Sequence, residues 1–135
     1  MIKALIVDDD FYIRRLLRQG LEKHAVCKEA ADGSEAIEAF KKAFSSGGRY
    51  DLILLDIMMP RMDGHTALRH IRQVEEDHQV FDVDQVKVIM ITALGDSENV
   101  ILAGQNDVQG YLLKPFQLKN LIETINRSGF NLKNE

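Results

Sequence analysis

The sequence predicts an α/β fold in which a five-stranded parallel sheet is covered by helices on both faces. Short apolar runs alternate along the chain with longer segments whose apolar residues recur at helical spacing, which is the pattern of βαβ units. The runs are almost continuously apolar, as strands buried on both faces must be. A length of 135 residues with 45% hydrophobic residues suits one core, so we expect a single domain over residues 1–135.

Five apolar runs are predicted as the strands. In chain order they are KALIV (3–7), AVCKEA (25–30), DLILL (51–55), VKVIMI (86–91) and GYLL (110–113). AVCKEA is the weakest candidate because its apolar pattern is irregular, and we place it nearer to the edge of the sheet. Right-handed crossovers between the strands would put the helices on both faces.

The segments between the runs are predicted as helices, and five of them fit the length. Apolar residues recur at helical spacing in three segments, at Ile13, Leu16, Leu17 and Leu21, at Ala36, Ile37, Phe40 and Phe44, and at Leu118, Leu121, Ile122 and Ile125. Another helix follows Gly64, and residues 96–106 lie between the last two strands. Residues 73–85 are acidic without a sustained helical stripe, so we expect the end of a helix followed by a solvated loop.

Charge and composition argue against several classes of function. The net charge is -4 and the basic residues are scattered, which does not fit a nucleic-acid-binding surface. No apolar run approaches the length of about 20 residues that crosses a bilayer, and the first apolar run is too short for a signal peptide. Cys27 is the only cysteine, so no intramolecular disulfide can form. We therefore expect a cytosolic protein that neither enters membranes nor binds nucleic acid directly.

Polar residues stand at the carboxyl ends of four predicted strands. Asp8 and Asp9 follow the first strand, Asp56 the third, Thr92 the fourth and Lys114 the fifth. An aspartate after a strand is commonly a turn residue or a helix cap, and a lysine is commonly a solvated charge, so each feature alone is weak evidence. Open parallel sheets bind ligands at this edge, however, and the joint placement predicts one site.

This set of residues is typical of phosphoryl transfer to a carboxylate. Oxygen ligands suit Mg²⁺, which would relieve the repulsion between the aspartates and neutralise charge on a phosphoryl group. Asp56 could then act as the nucleophile. Thr92 and Lys114 would supply a hydroxyl donor and a positive charge to the phosphoryl oxygens.

Four motifs in this order resemble the receiver domain of two-component response regulators along essentially the whole chain. They are VDDD (7–10), DIMMPRMDG (56–64), ITA (91–93) and YLLKPF (111–116). The resemblance implies a flavodoxin-like, doubly wound, five-stranded parallel sheet with strand order 2-1-3-4-5. Strands one and three would then be neighbours, which brings the first pair of aspartates beside the third.

The resemblance also implies roles at the metal site. Asp56 matches the phosphoacceptor and is also one of the Mg²⁺ ligands, Asp9 matches a direct Mg²⁺ ligand, and Asp8 a residue that acts mainly through water. The backbone carbonyl of Met58 matches the third protein ligand. Asp10 matches none of these roles, and we expect it to cap the helix that begins near Phe11.

Further positions match the switch that responds to phosphorylation. Thr92 matches the switch hydroxyl, Tyr111 the switch aromatic, and Lys114 the lysine that contacts the phosphoryl group, followed by a cis peptide bond to Pro115. Gly64 is expected to supply a backbone conformation that is closed to other residues.

The function implied by the resemblance is a phosphorylation-dependent signalling switch, active only in its own phosphorylation and dephosphorylation. The phosphoryl group would come from the phosphohistidine of a histidine kinase or a histidine phosphotransfer protein. A downstream protein target would bind the face formed by residues 96–106, 108–113 and 117–128.

Three alternatives are weighed against this function. An aspartate-nucleophile phosphatase of the haloacid dehalogenase kind needs a second aspartate two residues after Asp56, where this chain has Met58. A flavin- or nucleotide-binding module would need a glycine-rich phosphate loop after the first strand, and none is present. A stand-alone signalling protein is favoured because no output domain is present, but a receiver that belongs to a larger regulator or hybrid kinase stays open.

Overall fold

One five-stranded parallel sheet forms the centre of the computed structural model, which describes residues 1–93 and 108–133. The strands are β1 (Ile2–Val7), β2 (Ala25–Ala30), β3 (Leu52–Asp56), β4 (Lys87–Ala93) and β5 (Gly110–Lys114). They lie in the order β2-β1-β3-β4-β5. The predicted strand order is confirmed, and so is the position of AVCKEA at an edge of the sheet.

Four α-helices and one short 3₁₀ helix accompany the sheet within the described residues. They are α1 (Phe11–Leu21), α2 (Gly33–Ser46), α3 (Gly64–Asp77), α4 (Leu118–Arg127) and the 3₁₀ helix Asp82–Asp84. Residues 96–106, where a further helix is expected, lie outside the described part of the chain. No helix within the described ranges is long and apolar enough to span a membrane.

Alternate residues of the central strands enter two separate cores. Leu5, Val7, Ile53 and Leu55 pack against α2 and α3 on one face, whereas Ala4, Ile6, Leu52 and Leu54 pack against α1 and α4 on the other. This alternation follows from the twofold side-chain period of a strand. Both faces are therefore covered, which explains why the strand sequences are almost continuously apolar.

Aspartates cap three of the helices. Asp10, Asp32 and Asp63 each accept a hydrogen bond from a backbone N–H in the first turn of α1, α2 and α3, at 2.8 Å in every case. The capping role predicted for Asp10 is confirmed. Asp10 and Asp63 follow the strands β1 and β3, whose ends carry the candidate site. Asp10 fixes where the chain after β1 enters α1, and Asp63 fixes where the loop after β3 enters α3.

The acidic stretch 73–85 is anchored at both ends, although most of it is exposed. Helix α3 ends at Asp77 and a loop containing the 3₁₀ turn follows, as predicted. Glu75 is buried, pairs with Arg72 at 2.7 Å, and accepts a hydrogen bond from the N–H of Val86 at 2.6 Å. Arg72 also donates to the carbonyl of Val86 at 3.0 Å. These bonds satisfy a buried carboxylate and tie α3 to the start of β4.

Candidate functional site

The carboxyl ends of β1 and β3 bring three aspartates together. The two strands are neighbours, with Val7 paired to Leu55, so the residues that follow them meet at the same edge of the sheet. One carboxylate oxygen from each of Asp8, Asp9 and Asp56 lies within 4.8 Å of the other two. Asp8 and Asp56 are buried, whereas Asp9 is exposed. The predicted convergence of these three aspartates is confirmed.

Lys114 reaches the same cluster from the end of β5. Its Nζ lies 3.0 Å from Oδ2 of Asp8 and 3.6 Å from Oδ2 of Asp56. The peptide bond from Lys114 to Pro115 is cis, as expected. The second oxygen of Asp8 accepts a hydrogen bond from the N–H of Asp10 at 2.9 Å, so the carboxylate of Asp8 is held from two sides.

The surroundings make Asp56 hard to ionise. Burial is the largest cause, and repulsion from Asp8 adds to it, so that the pKa of Asp56 rises from an ordinary value of 3.8 to about 7, even though Lys114 and the N–H of Met58 act in the opposite direction. Burial alone would lower the pKa of Lys114, but its hydrogen bond and attraction to the aspartates outweigh burial and raise it.

The donor set fits a hard divalent cation. Among the described residues three carboxylates meet the ammonium group of Lys114 here, and burial together with repulsion from Asp8 raises the pKa of Asp56, so its charged form would gain from a further positive charge. Oxygen ligands in this arrangement are those that Mg²⁺ takes. The backbone of Met58 lies beside the cluster, since its N–H donates to Oδ1 of Asp56 at 3.3 Å.

Thr92 and Tyr111 lie on neighbouring strands and share one face of the sheet. Met90 pairs with Tyr111 and Thr92 pairs with Leu113, so the alternation of side chains places both candidates on the same side. Thr92 is buried, and Tyr111 is partly buried against the core formed with α2 and α3. Burial raises the pKa of the Tyr111 hydroxyl.

The expected reason for Gly64 is wrong. Its φ is not in the left-handed region, where the glycines of the described chain are Gly47 and Gly129. Instead, a Cβ atom at position 64 would lie 2.5 Å from the carbonyl oxygen of Asp56 and 2.9 Å from the Cα of Ile57. Glycine is needed because the start of α3 approaches the backbone at the end of β3 too closely for any side chain.

Arg14 is a polar contact of the site that the sequence did not single out. Its Nη1 donates to the backbone carbonyl of Asp8 at 2.7 Å, and its Nε donates to Glu29 at 3.1 Å. Its position in α1 carries no sequence signal that separates it from an exposed helical charge, because the contact with Glu29 joins segments fifteen residues apart.

Comparison with known proteins decides the family. The family model described as the response regulator receiver domain matches residues 4–126. The chain belongs to this family. Receiver domains bind Mg²⁺ at an acidic pocket, and Asp8, Asp9 and Asp56 form an acidic cluster in this one.

Individual relatives agree in sequence and in fold. The receiver is 35% identical over 128 residues to the chemotaxis protein CheY of Bacillus subtilis, a match that covers 93% of this chain and 96% of the relative. The structure of chemotaxis protein CheY4 from Vibrio cholerae aligns with a TM-score of 0.76 and 30% identity, over 95% of this chain and 98% of that one. A chain of the CheX–CheY–BeF₃–Mg²⁺ complex from Borrelia burgdorferi aligns with a TM-score of 0.73 and 28% identity, over 92% of this chain and 86% of that one. The chain is thus a homologue of phosphorylation-dependent signalling switches, and the flavodoxin-like fold is confirmed.

Proposed function

We propose that Asp56 accepts a phosphoryl group from a phosphohistidine and that the resulting change in charge alters the partner-binding face. The observation that carries this proposal is the placement of Asp56 at the end of β3, with Asp8 and Asp9 within 4.8 Å and Lys114 Nζ at 3.6 Å. A buried nucleophile, a cation site and a positive charge then share one pocket.

Each site residue has a distinct part in the transfer. A carboxylate oxygen of Asp56 would form the bond to phosphorus as the bond between phosphorus and the donor nitrogen breaks. Lys114 and Thr92 would bind the phosphoryl oxygens through an ammonium group and a hydroxyl group. Asp9 and Asp56, the Met58 carbonyl, and Asp8 through water would hold Mg²⁺, which when bound neutralises charge on the transferring group.

The proposed partners follow from the same reading of the chain as a receiver. The donor would be a histidine kinase or a histidine phosphotransfer protein, and the receiver would act only on itself. We place the downstream target, a protein, on the face that includes residues 108–113 and 117–128; residues 96–106 lie outside the described chain. We also propose that residues 1–135 form one domain and that the protein lies in the cytoplasm. Fractionation of cells would test the second of these proposals.

Mass spectrometry tests the phosphoacceptor directly. Incubation with Mg²⁺ and acetyl phosphate is expected to add one phosphoryl group to the wild-type protein and none to Asp56→Asn. Asp51→Asn is the matched control, because Asp51 precedes the same strand at its opposite end and is exposed. Equal modification of Asp56→Asn, or no adduct on the wild type with any phosphodonor, would contradict the proposal.

Thr92→Ala is expected to separate phosphorylation from the conformational response. Loss of the hydroxyl removes the group that would follow the phosphoryl oxygens, so Asp56 stays modifiable but β5 and α4 no longer respond. In ¹⁵N-labelled protein, acetyl phosphate with Mg²⁺ should shift amide signals throughout residues 110–128 of the wild type and leave them nearly unshifted in Thr92→Ala. Identical shifts in both proteins would count against this role of Thr92.

A further inference from the structure

Arg14 joins α1 to β2 and to the residue that follows β1, directly beside Asp8 and Asp9. From α1 its guanidinium donates to the carbonyl of Asp8 at 2.7 Å and to Oε1 of Glu29, on β2, at 3.1 Å. The other oxygen of Glu29 accepts from Arg18 at 2.6 Å. The Arg14 side chain is only 14% exposed, so it is enclosed between the helix and the sheet.

The carbonyl that Arg14 contacts belongs to the peptide group between Asp8 and Asp9. The pairing of β1 with its neighbours runs to Val7, and the N–H of Asp8 still bonds to the carbonyl of Ala30 at 3.2 Å. The carbonyl of Asp8 follows the last paired residue of β1, and it accepts its hydrogen bond from Arg14 instead of from a strand. Because the peptide is planar, its orientation fixes where the Cα of Asp9 lies relative to Asp8, and the Asp9 side chain starts from that atom.

We infer that Arg14 is a positioning residue for the cation site, which it serves by fixing the Asp8–Asp9 peptide. A planar guanidinium can donate to a carbonyl and a carboxylate at once in a fixed geometry, which a lysine ammonium group does not reproduce. The inference rests on the proposed Mg²⁺ site. It adds a group that touches neither the ion nor the phosphoryl group.

A role of Arg14 through its charge and a role in positioning the metal ligands predict opposite effects of its removal on Mg²⁺ binding. If Arg14 acted only through its charge, its removal would strengthen the binding of a cation, since like charges repel. If it positions the ligands, Arg14→Gln weakens binding, by about tenfold or more as for other residues that orient metal ligands. Arg14→Lys keeps the charge and is expected to weaken binding as well, though less.

Titration calorimetry with MgCl₂ on the full chain at pH 8 distinguishes a charge effect of Arg14 from a positioning effect. Arg15→Gln is the matched control, because it removes the same charge from the adjacent, exposed position of α1, and its affinity should stay within twofold of the wild type. Urea unfolding without Mg²⁺ checks that each variant is folded. Unchanged or tighter binding by Arg14→Gln and Arg14→Lys would overturn the inference alone. Absence of binding by the wild type would overturn the cation site and the inference with it.

Discussion

Asp56→Asn is expected to stabilise the metal-free protein at pH 8, by about 1 to 4 kcal/mol in the free energy of unfolding. The pKa of Asp56 is raised from 3.8 to about 7 by burial and by Asp8, and one pKa unit corresponds to about 1.4 kcal/mol. The native state therefore binds the proton more tightly than the unfolded chain, so stability falls as the pH rises from about 4 through 7. The lower end of the range allows for the weakened pairing of Lys114.

Urea denaturation with a chelator at pH 4.5 and pH 8 measures this effect. The difference between Asp56→Asn and the wild type should be small at the lower pH and reach its full size above pH 7. Glu38→Gln, which removes a charge from an exposed position of α2, should show no such pH dependence. A difference that is equal at both pH values would contradict the prediction.

Mg²⁺ should remove most of this difference. A ligand that binds only the native state stabilises it in proportion to the logarithm of its concentration over its dissociation constant. Burial and repulsion from Asp8 both disfavour the charged form of Asp56 in the metal-free wild type, and a bound cation would offset both. The acidic cluster thus stores, in an unfavourable native state, free energy that would favour cation binding, and the identity of the residue at position 56 controls how much.

The fold and the site could be predicted because both depend on local features of the sequence. Strands covered on both faces are continuously apolar, so the runs before Asp8 and Asp56 are recognisable without their partners. Parallel strands present their carboxyl ends at one edge, and residue types at those ends therefore predict a shared site. The cap at Asp10 likewise involves a bond to a residue two positions away.

Features that depend on contacts between distant segments could not be predicted. Arg14 bonds to Glu29, fifteen residues away, and Glu75 bonds to Val86, eleven residues away. Neither residue stands in a pattern that distinguishes it from an exposed charge of a helix. The sequence places Gly64 in the right loop but predicts the wrong reason for it, because a glycine signals either an unusual φ or a close approach of backbones, and only packing separates the two.

Gly64→Ala is expected to lower the free energy of unfolding by about 1 to 3 kcal/mol, as other changes that force extra atoms into packed regions do. Its Cβ would meet the carbonyl oxygen of Asp56 at 2.5 Å and the Cα of Ile57 at 2.9 Å. Both are backbone atoms, so relief requires movement of the end of β3 or the start of α3. A displacement of Asp56 should also slow phosphorylation by acetyl phosphate, by about tenfold or more.

Gly20→Ala provides the matched control, since Gly20 is also a helical glycine with a short distance to a neighbour. Its Cβ would lie 2.6 Å from Cδ1 of Leu118, which is the far end of a half-exposed side chain that can rotate away. Alanine also favours the helix over glycine by about 0.5–1 kcal/mol. Urea denaturation should therefore show Gly20→Ala close to or above wild-type stability, with normal phosphorylation. If the two variants lose stability equally, contact with the backbone of Asp56 is not what requires glycine at position 64.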